Sequence, residues 1–137
     1  MTEDSRNELF EQAKAVQKDN AFAKHNGIRL KSVEKDQAEV YLDITADSLN
    51  HAGNVHGGAF LSLADVCSGC AARTDGRKYV TQAANACFVR GAKKGRITAR
   101  GSVLHRGRKS CLIRVDITDD NDKMLFYGTY TYYCVSE

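Results

Sequence analysis

Apolar residues in the first twenty positions recur with a helical period. Leu9, Phe10, Ala13 and Val16 fall on one side while Glu11, Lys14 and Lys18 fall elsewhere, which predicts an amphipathic helix over Ser5–Asn20 that packs on the domain surface. The period then changes to two. Ala38, Val40, Leu42 and Ile44 alternate with Glu39, Tyr41 and Asp43, the pattern of a strand with one buried face. From Gly57 to Arg73 the helical spacing returns, with Phe60, Leu63, Ala64, Cys67 and Ala71 as its apolar stripe. Ala59, Ser62, Ser68, Gly69 and Ala72 leave little side chain on the other sides, so this helix can be enclosed almost completely. Asp75-Gly76 supplies the turn chemistry that ends it. Every later segment reads as strand: Tyr79 to Val89, then Ile97, Ala99, Gly101, Val103 and His105 on one face, then Cys111 to Ile117, then Leu125 to Val135, rich in Tyr and Thr. His105-Arg106-Gly107-Arg108 and Asp119-Asp120-Asn121-Asp122 are the predicted hairpin turns. The expected fold class is α+β, a helix and a strand followed by a central helix and a four-strand meander, in which one sheet wraps one helix.

Composition narrows the picture. A chain of 137 residues is one domain's worth, here an N-terminal helix over residues 1–20 and a wrapped core over 21–135. Five scattered cysteines, an odd number, suit buried thiols in a reducing compartment better than a disulfide framework, and no segment nears the ~20 apolar residues of a membrane span. With no secretory pattern at its N-terminus, the protein is expected in the cytoplasm, away from membranes. A net charge of +3 is too mild for a dedicated nucleic-acid binder. The basic residues nonetheless cluster. Arg90, Lys93, Lys94, Arg96 and Arg100 form one group and Arg106, Arg108 and Lys109 another, and either could hold an anionic small ligand.

The central helix carries the chemistry. Asp65 is the one acid or base between Gly57 and Ala72, and a carboxylate placed in an apolar helix is costly unless paired or used. His56-Gly57-Gly58 opens the same helix, and its unpaired backbone N–H groups can be approached closely by a ligand oxygen. An acid and an oxyanion-binding end therefore sit in one segment. Yet eight residues of helix span about 12 Å, so Asp65 and Gly57 of one chain cannot both reach one carbonyl. If both act, two subunits share each site. Cys67-x-x-Cys70 lies mid-helix with no second ligand pair, which argues against a redox or metal site.

Asn50, Gly53, His56-Gly57-Gly58 and Leu63-Ala64-Asp65, followed by strands ending in Gly128-Thr129-Tyr130, resemble the hotdog-fold acyl-CoA thioesterases, in particular the phenylacetate-degradation type. The likeness covers about residues 20 to 135. It implies a hotdog fold and hydrolysis of an acyl- or aryl-CoA thioester to free acid and CoA, with no cofactor and no metal. By the same likeness Asp65 is general base or nucleophile and the Gly57 N–H polarises the thioester carbonyl. Asn50 and His56 line the site, and Thr81 is the hydroxyl that helps place the attacking water. Gly58, Arg106, Arg108 and Lys109 are candidates for substrate binding, the basic three at the CoA phosphates. The resemblance further implies at least a homodimer, with a homotetramer favoured. The chain departs from the family in having no proline after Phe88-Val89-Arg90-Gly91. Two other readings of the fold are a non-catalytic acyl-CoA sensor and an enoyl-CoA hydratase.

Overall fold

The computed structural model describes residues 1–136. Helix α1 runs Glu3–Lys18, beginning where the Thr2 hydroxyl accepts a hydrogen bond from the Ser5 N–H at 3.0 Å. A short helix α2 (Ala21–His25) leads into strand β1 (Ile28–Glu34), then come β2 (Gln37–Asp43), helix α3 (Gly57–Ala72), β3 (Tyr79–Phe88), β4 (Arg96–Arg106), β5 (Ser110–Thr118) and β6 (Met124–Cys134). All six strands form one antiparallel sheet in the order β1-β2-β4-β5-β6-β3. No described helix is long and apolar enough to cross a membrane.

Two expectations need correction here. Only β4, β5 and β6 form a meander; β3 pairs with β6 and lies at the sheet's edge, while β4 takes β2 as its other neighbour. The seven residues 89–95 allow this, because they form a connection too long for a tight hairpin and carry the chain from one end of the sheet to its middle. The other correction is β1, whose alternation is broken by a bulge between Leu30 and Ser32. Its buried residues are Ile28 and Val33, five apart, so no period-two signal survives in the sequence. Smaller shifts follow the same logic. Strand β4 continues through Arg106 into the predicted turn, and a bulge between Val103 and His105 leaves His105 exposed instead of on the buried face.

The sheet curls around α3, whose buried residues include Phe60, Leu63, Ala64 and everything from Cys67 to Ala72. Small side chains permit that close approach. The Cys67 thiol donates to the Ala38 carbonyl at 3.3 Å, in the middle of the sheet. Facing it are Val40, Leu42, Ile97, Ala99, Ile113, Val115 and Ile117, all 2% exposed or less. Burying this apolar face is the main stabilising term. Three aromatics close the N-terminal end of α3: Phe126 stacks on Phe60 at 6.1 Å and meets Phe88 edge-on at 5.3 Å. Helix α1 is a looser addition. None of its residues is buried, and Val16, expected on its packed side, is 47% exposed. Four cysteines are buried free thiols, but Cys87 on β3 is exposed, unlike the expectation for all five.

Strand β3 is unusual for its composition. From Val80 to Phe88 it is exposed on both faces, apart from the half-buried Ala86. A bulge places Gln82 outside the ladder between the pairs Thr81–Tyr132 and Ala83–Thr131. Gly128 on β6 lets the two strands approach, since a Cβ there would collide with the Asn85 carbonyl.

Candidate active site

Asp65 sits midway along α3, half-buried rather than enclosed, on the side that faces β3 and β6. Two hydroxyls converge on one of its oxygens. Thr81 Oγ1 donates to Oδ1 at 2.7 Å, and the Tyr132 hydroxyl lies 2.5 Å from the same Oδ1 and 2.5 Å from the Asp65 carbonyl oxygen. Thr81 and Tyr132 are directly paired across β3 and β6, so the two donors come as a unit set by sheet register. Burial first, and the Asp65 charge second, push the Tyr132 hydroxyl far above the ordinary phenol range, which keeps it protonated as a donor. Oδ2 of Asp65 has no hydrogen-bond partner among the described residues, so one carboxylate oxygen is anchored and the other is available.

The opening of α3 is built by its cap. The His56 Nδ1 accepts from the Gly58 N–H at 2.8 Å, while the His56 N–H bonds the Ser48 carbonyl at 2.9 Å. That geometry puts the proton of a neutral imidazole on Nε2, and the ring is exposed. Gly58 spends its N–H on the cap and its carbonyl on the Ser62 hydroxyl. Gly57 does not: its N–H makes no hydrogen bond among the described residues. Asn50 organises the approach to this point. Its Oδ1 accepts from the backbone N–H groups of Ala52 and Asn54 at 2.9 and 3.1 Å, closing the loop that delivers His56 and leaving the Asn50 amide nitrogen as a donor. A hollow of about 340 Å³ lies beside Gly57, lined by Val55, Phe60, Phe88, Val89, Arg90 and Gly91.

Within one chain, then, the expected residues fall into two groups. Asp65 and Thr81 are together, joined by Tyr132, which sequence reasoning missed; Gly57, Gly58, His56 and Asn50 are together at the start of α3, about 12 Å away along the helix axis. The sequence of β6 reads only as a strand rich in Tyr and Thr, and nothing in it says that β3, and hence Asp65, lies against Tyr132. The third group is displaced. Arg106 is half-buried and its guanidinium is consumed by Asp36 and Asp75, both at 2.7 Å, and by the Ala71 and Ala72 carbonyls at the C-terminal end of α3. It is an internal clamp, which leaves it no free edge for a phosphate. Arg108 and Lys109 are exposed on the following turn, at that same end of the helix. The cation beside Gly57 is Arg90 of the β3–β4 connection, which also carries Lys93 and Lys94, and none of the three forms an ion pair among the described residues.

Comparison with known proteins agrees with this fold. Residues 52–126, which hold α3 and both groups of site residues except Asn50 and Tyr132, match the Thioesterase superfamily. The chain is 31% identical over 122 residues to the acyl-coenzyme A thioesterase PaaI of Escherichia coli, covering 87% of each protein. The solved structure of that PaaI protein, from the phenylacetic acid degradation operon, superposes with a TM-score of 0.91 over 96% of both chains. A hypothetical thioesterase protein of Streptococcus pneumoniae solved with coenzyme A is 26% identical, with a TM-score of 0.77 over 80% of this chain and 90% of that one. The pneumococcal protein has also been solved with alanine in place of an aspartate and of a threonine. The chain belongs to the thioesterase superfamily and is a thioester hydrolase of the hotdog fold.

Proposed function

We propose that the protein hydrolyses acyl-CoA thioesters at a site shared by two subunits, with Asp65 from one and the Gly57 N–H from the other. The observation that carries this reading is the state of the two groups: Asp65 has one oxygen anchored by Thr81 and Tyr132 and the other unengaged, and Gly57 offers an N–H without a partner. Hydrolysis asks for those two things, a base or nucleophile at the carbonyl carbon and a fixed donor where negative charge develops on the carbonyl oxygen. The length of α3 separates them within a chain, and the exposed strand β3 supplies the means to bring two chains together. Its free edge and bare faces, carrying Val80, Ala83 and Ala84, fit pairing with a second copy.

In the reaction the thioester oxygen accepts from the partner subunit's Gly57 while the carbonyl carbon faces Asp65 Oδ2. Either Oδ2 takes a proton from a water that attacks the carbon, or Oδ2 attacks and the resulting anhydride is hydrolysed in a second step. Both routes expel the CoA thiolate, which leaves as the thiol after taking up a proton. Thr81 and Tyr132 hold the carboxylate so that Oδ2 keeps its aim. Arg90, Lys93 and Lys94 hold the CoA phosphates at the mouth of the hollow, in place of Arg106, Arg108 and Lys109. The test is release of CoA from a panel of short, medium, long and aromatic acyl-CoAs. Asp65→Asn is expected to lower kcat about a hundredfold or more with an unchanged circular dichroism spectrum. Near-normal turnover by that variant removes Asp65 from the mechanism.

A further inference from the structure

Helix α1 is fastened to the body near both of its ends. Arg6 pairs with Glu34 at 3.7 Å, and the Gln17 amide donates to the Cys70 thiol at 3.5 Å. Between those ties the apolar stripe of the helix is incompletely covered: Leu9 and Ala13 are half-buried, and Val16 is exposed. Beneath the stripe lies a largely apolar cavity of about 460 Å³, walled on one side by Leu9, Ala13 and Val16 and reaching the end of α3. None of Asp65, Thr81, Tyr132 and Gly57 lines it, so it is a separate space from the candidate active site.

The charges around this space are of one sign. Arg73, Arg77 and Lys78 line it, and among the described residues no acidic side chain does. Arg77 is spent on Asp75 and on the Gly107 and Arg108 carbonyls. Arg73 is not: half-buried, it forms no ion pair among the described residues, and its one side-chain hydrogen bond there runs from Nη2 to the Tyr79 carbonyl at 3.2 Å. Its place at the C-cap of α3 accounts for a cation, but not for a guanidinium set in an apolar wall with donors unused. The charge is felt inside the cavity. Burial pushes the Cys70 thiol, another lining group, up to about 11, and Arg73 opposes that rise.

We propose that this cavity is a second binding site, for a free aliphatic carboxylic acid of medium chain length, with its carboxylate on Arg73 and its tail along Leu9, Ala13 and Val16. The two halves of such a ligand answer the two features of the space. A carboxylate accepts charge-assisted hydrogen bonds from a guanidinium with donors to spare, and the surrounding cations disfavour a basic headgroup. The tail covers the exposed side of Val16 and removes apolar surface from water on both partners. A volume of about 460 Å³ is that of a small-molecule pocket and too little for a folded partner.

Octanoate and 1-octanol share a chain and differ in charge, so titration calorimetry with each reads the two halves of the site apart. Wild-type protein should bind one octanoate per chain, about tenfold or more tighter than 1-octanol. Arg73→Met should erase that advantage by weakening octanoate alone, and Arg73→Lys should restore part of it. Ala13→Phe, which fills the cavity from α1, should abolish octanoate binding while the thermal midpoint and the release of CoA from acyl-CoA stay near wild type. Octyl-CoA, a thioether that cannot be hydrolysed, should leave octanoate binding intact because it occupies the other site. Should Ala13→Phe fail to fold, the octanol comparison and Arg73→Met still decide. The proposal is overturned by an absence of saturable octanoate binding, by 1-octanol binding as tightly, by displacement of octanoate with octyl-CoA, or by octanoate binding that survives Ala13→Phe. An oligomer whose mass falls in Ala13→Phe, with no octanoate bound by either protein, assigns the space to a second copy of the chain and overturns it too.

Discussion

Gly57 can be tested more sharply than most backbone donors. It is the first residue of α3, the one helical position where proline is well tolerated because the N–H has no intrahelical partner. The residue before it, His56, is extended at φ −63° and ψ 138°, the conformation a following proline demands. A Cβ at position 57 would rest 3.5 Å from Phe88 Cε1, an ordinary contact. Gly57→Pro therefore removes the donor hydrogen without breaking the helix, and puts the ring Cδ in its place. It should lower kcat/KM by about a hundredfold or more, with the thermal midpoint within a few degrees of wild type. If turnover survives, the oxyanion is held elsewhere. Asp65 and Gly57 were legible from sequence because each signal is local, a charge in an apolar stripe and glycines after a capping residue. Tyr132 was not, because its contact with Asp65 depends on which strands are neighbours, and nothing within β6 encodes that.

At the level of elements, the end of α3 is fastened by charge. Arg106 from β4 reaches Asp36 in the β1–β2 turn, Asp75 after α3 and two helix carbonyls, so one guanidinium ties three connections. Asp75 also accepts from the Tyr79 hydroxyl at 2.6 Å and from Arg77. Burial opposes the Asp75 charge, but the hydrogen bonds from Tyr79 and Arg77 and the nearby Arg106 outweigh it and hold the carboxyl down at about 2. A depressed carboxyl contributes stability that is complete above its unfolded value near 4 and disappears as pH falls through about 2, an effect of roughly 2 kcal/mol. Urea unfolding followed between pH 5 and pH 2 should show that loss in the wild type, and Asp75→Asn should flatten it. Arg106→Ala should cost about 1–2 kcal/mol at neutral pH, since the Ala71 and Ala72 carbonyls and Asp36 lose their donor while Asp75 keeps Tyr79 and Arg77, and it should leave the KM for acyl-CoA near normal. A raised KM with unaltered stability would return Arg106 to the phosphates.

The same contrast explains what the pattern of the chain disclosed about its elements. Strands β2, β5 and β6 alternate cleanly because each has one face on α3, and that periodicity is written residue by residue. Strand β1 was lost to its bulge, and α2 to its length of one turn. The place of β3 could not be read at all. Its sequence resembles an interior strand, yet the fold leaves it bare, and a strand's own residues do not say whether its covering comes from the same chain.

For the whole molecule the decisive question is who completes each site. Asp65→Asn and Gly57→Pro should each be nearly inactive alone. In a symmetric dimer built from one of each, one site collects both defects and the other has neither. Random re-pairing after unfolding and refolding makes half the dimers mixed with half of their sites intact, so about a quarter of wild-type activity should return. Each variant refolded alone is the control. A mixture no more active than its controls, with subunit exchange demonstrated by mass, would mean that the site is built within one chain.

The bulge at Gln82 bears on that assembly in a way that concerns counting. Thr81 faces α3 to hold Asp65, and Phe88 faces α3 to cover Gly57, yet they are seven positions apart, an odd number. In an unbroken strand residues an odd number apart point to opposite sides, so no regular β3 could serve both ends of the helix. The unpaired residue changes the parity between them. One inserted position thereby puts the anchor of the carboxylate and the roof of the oxyanion donor in phase on a single strand, the strand through which two subunits would also have to meet.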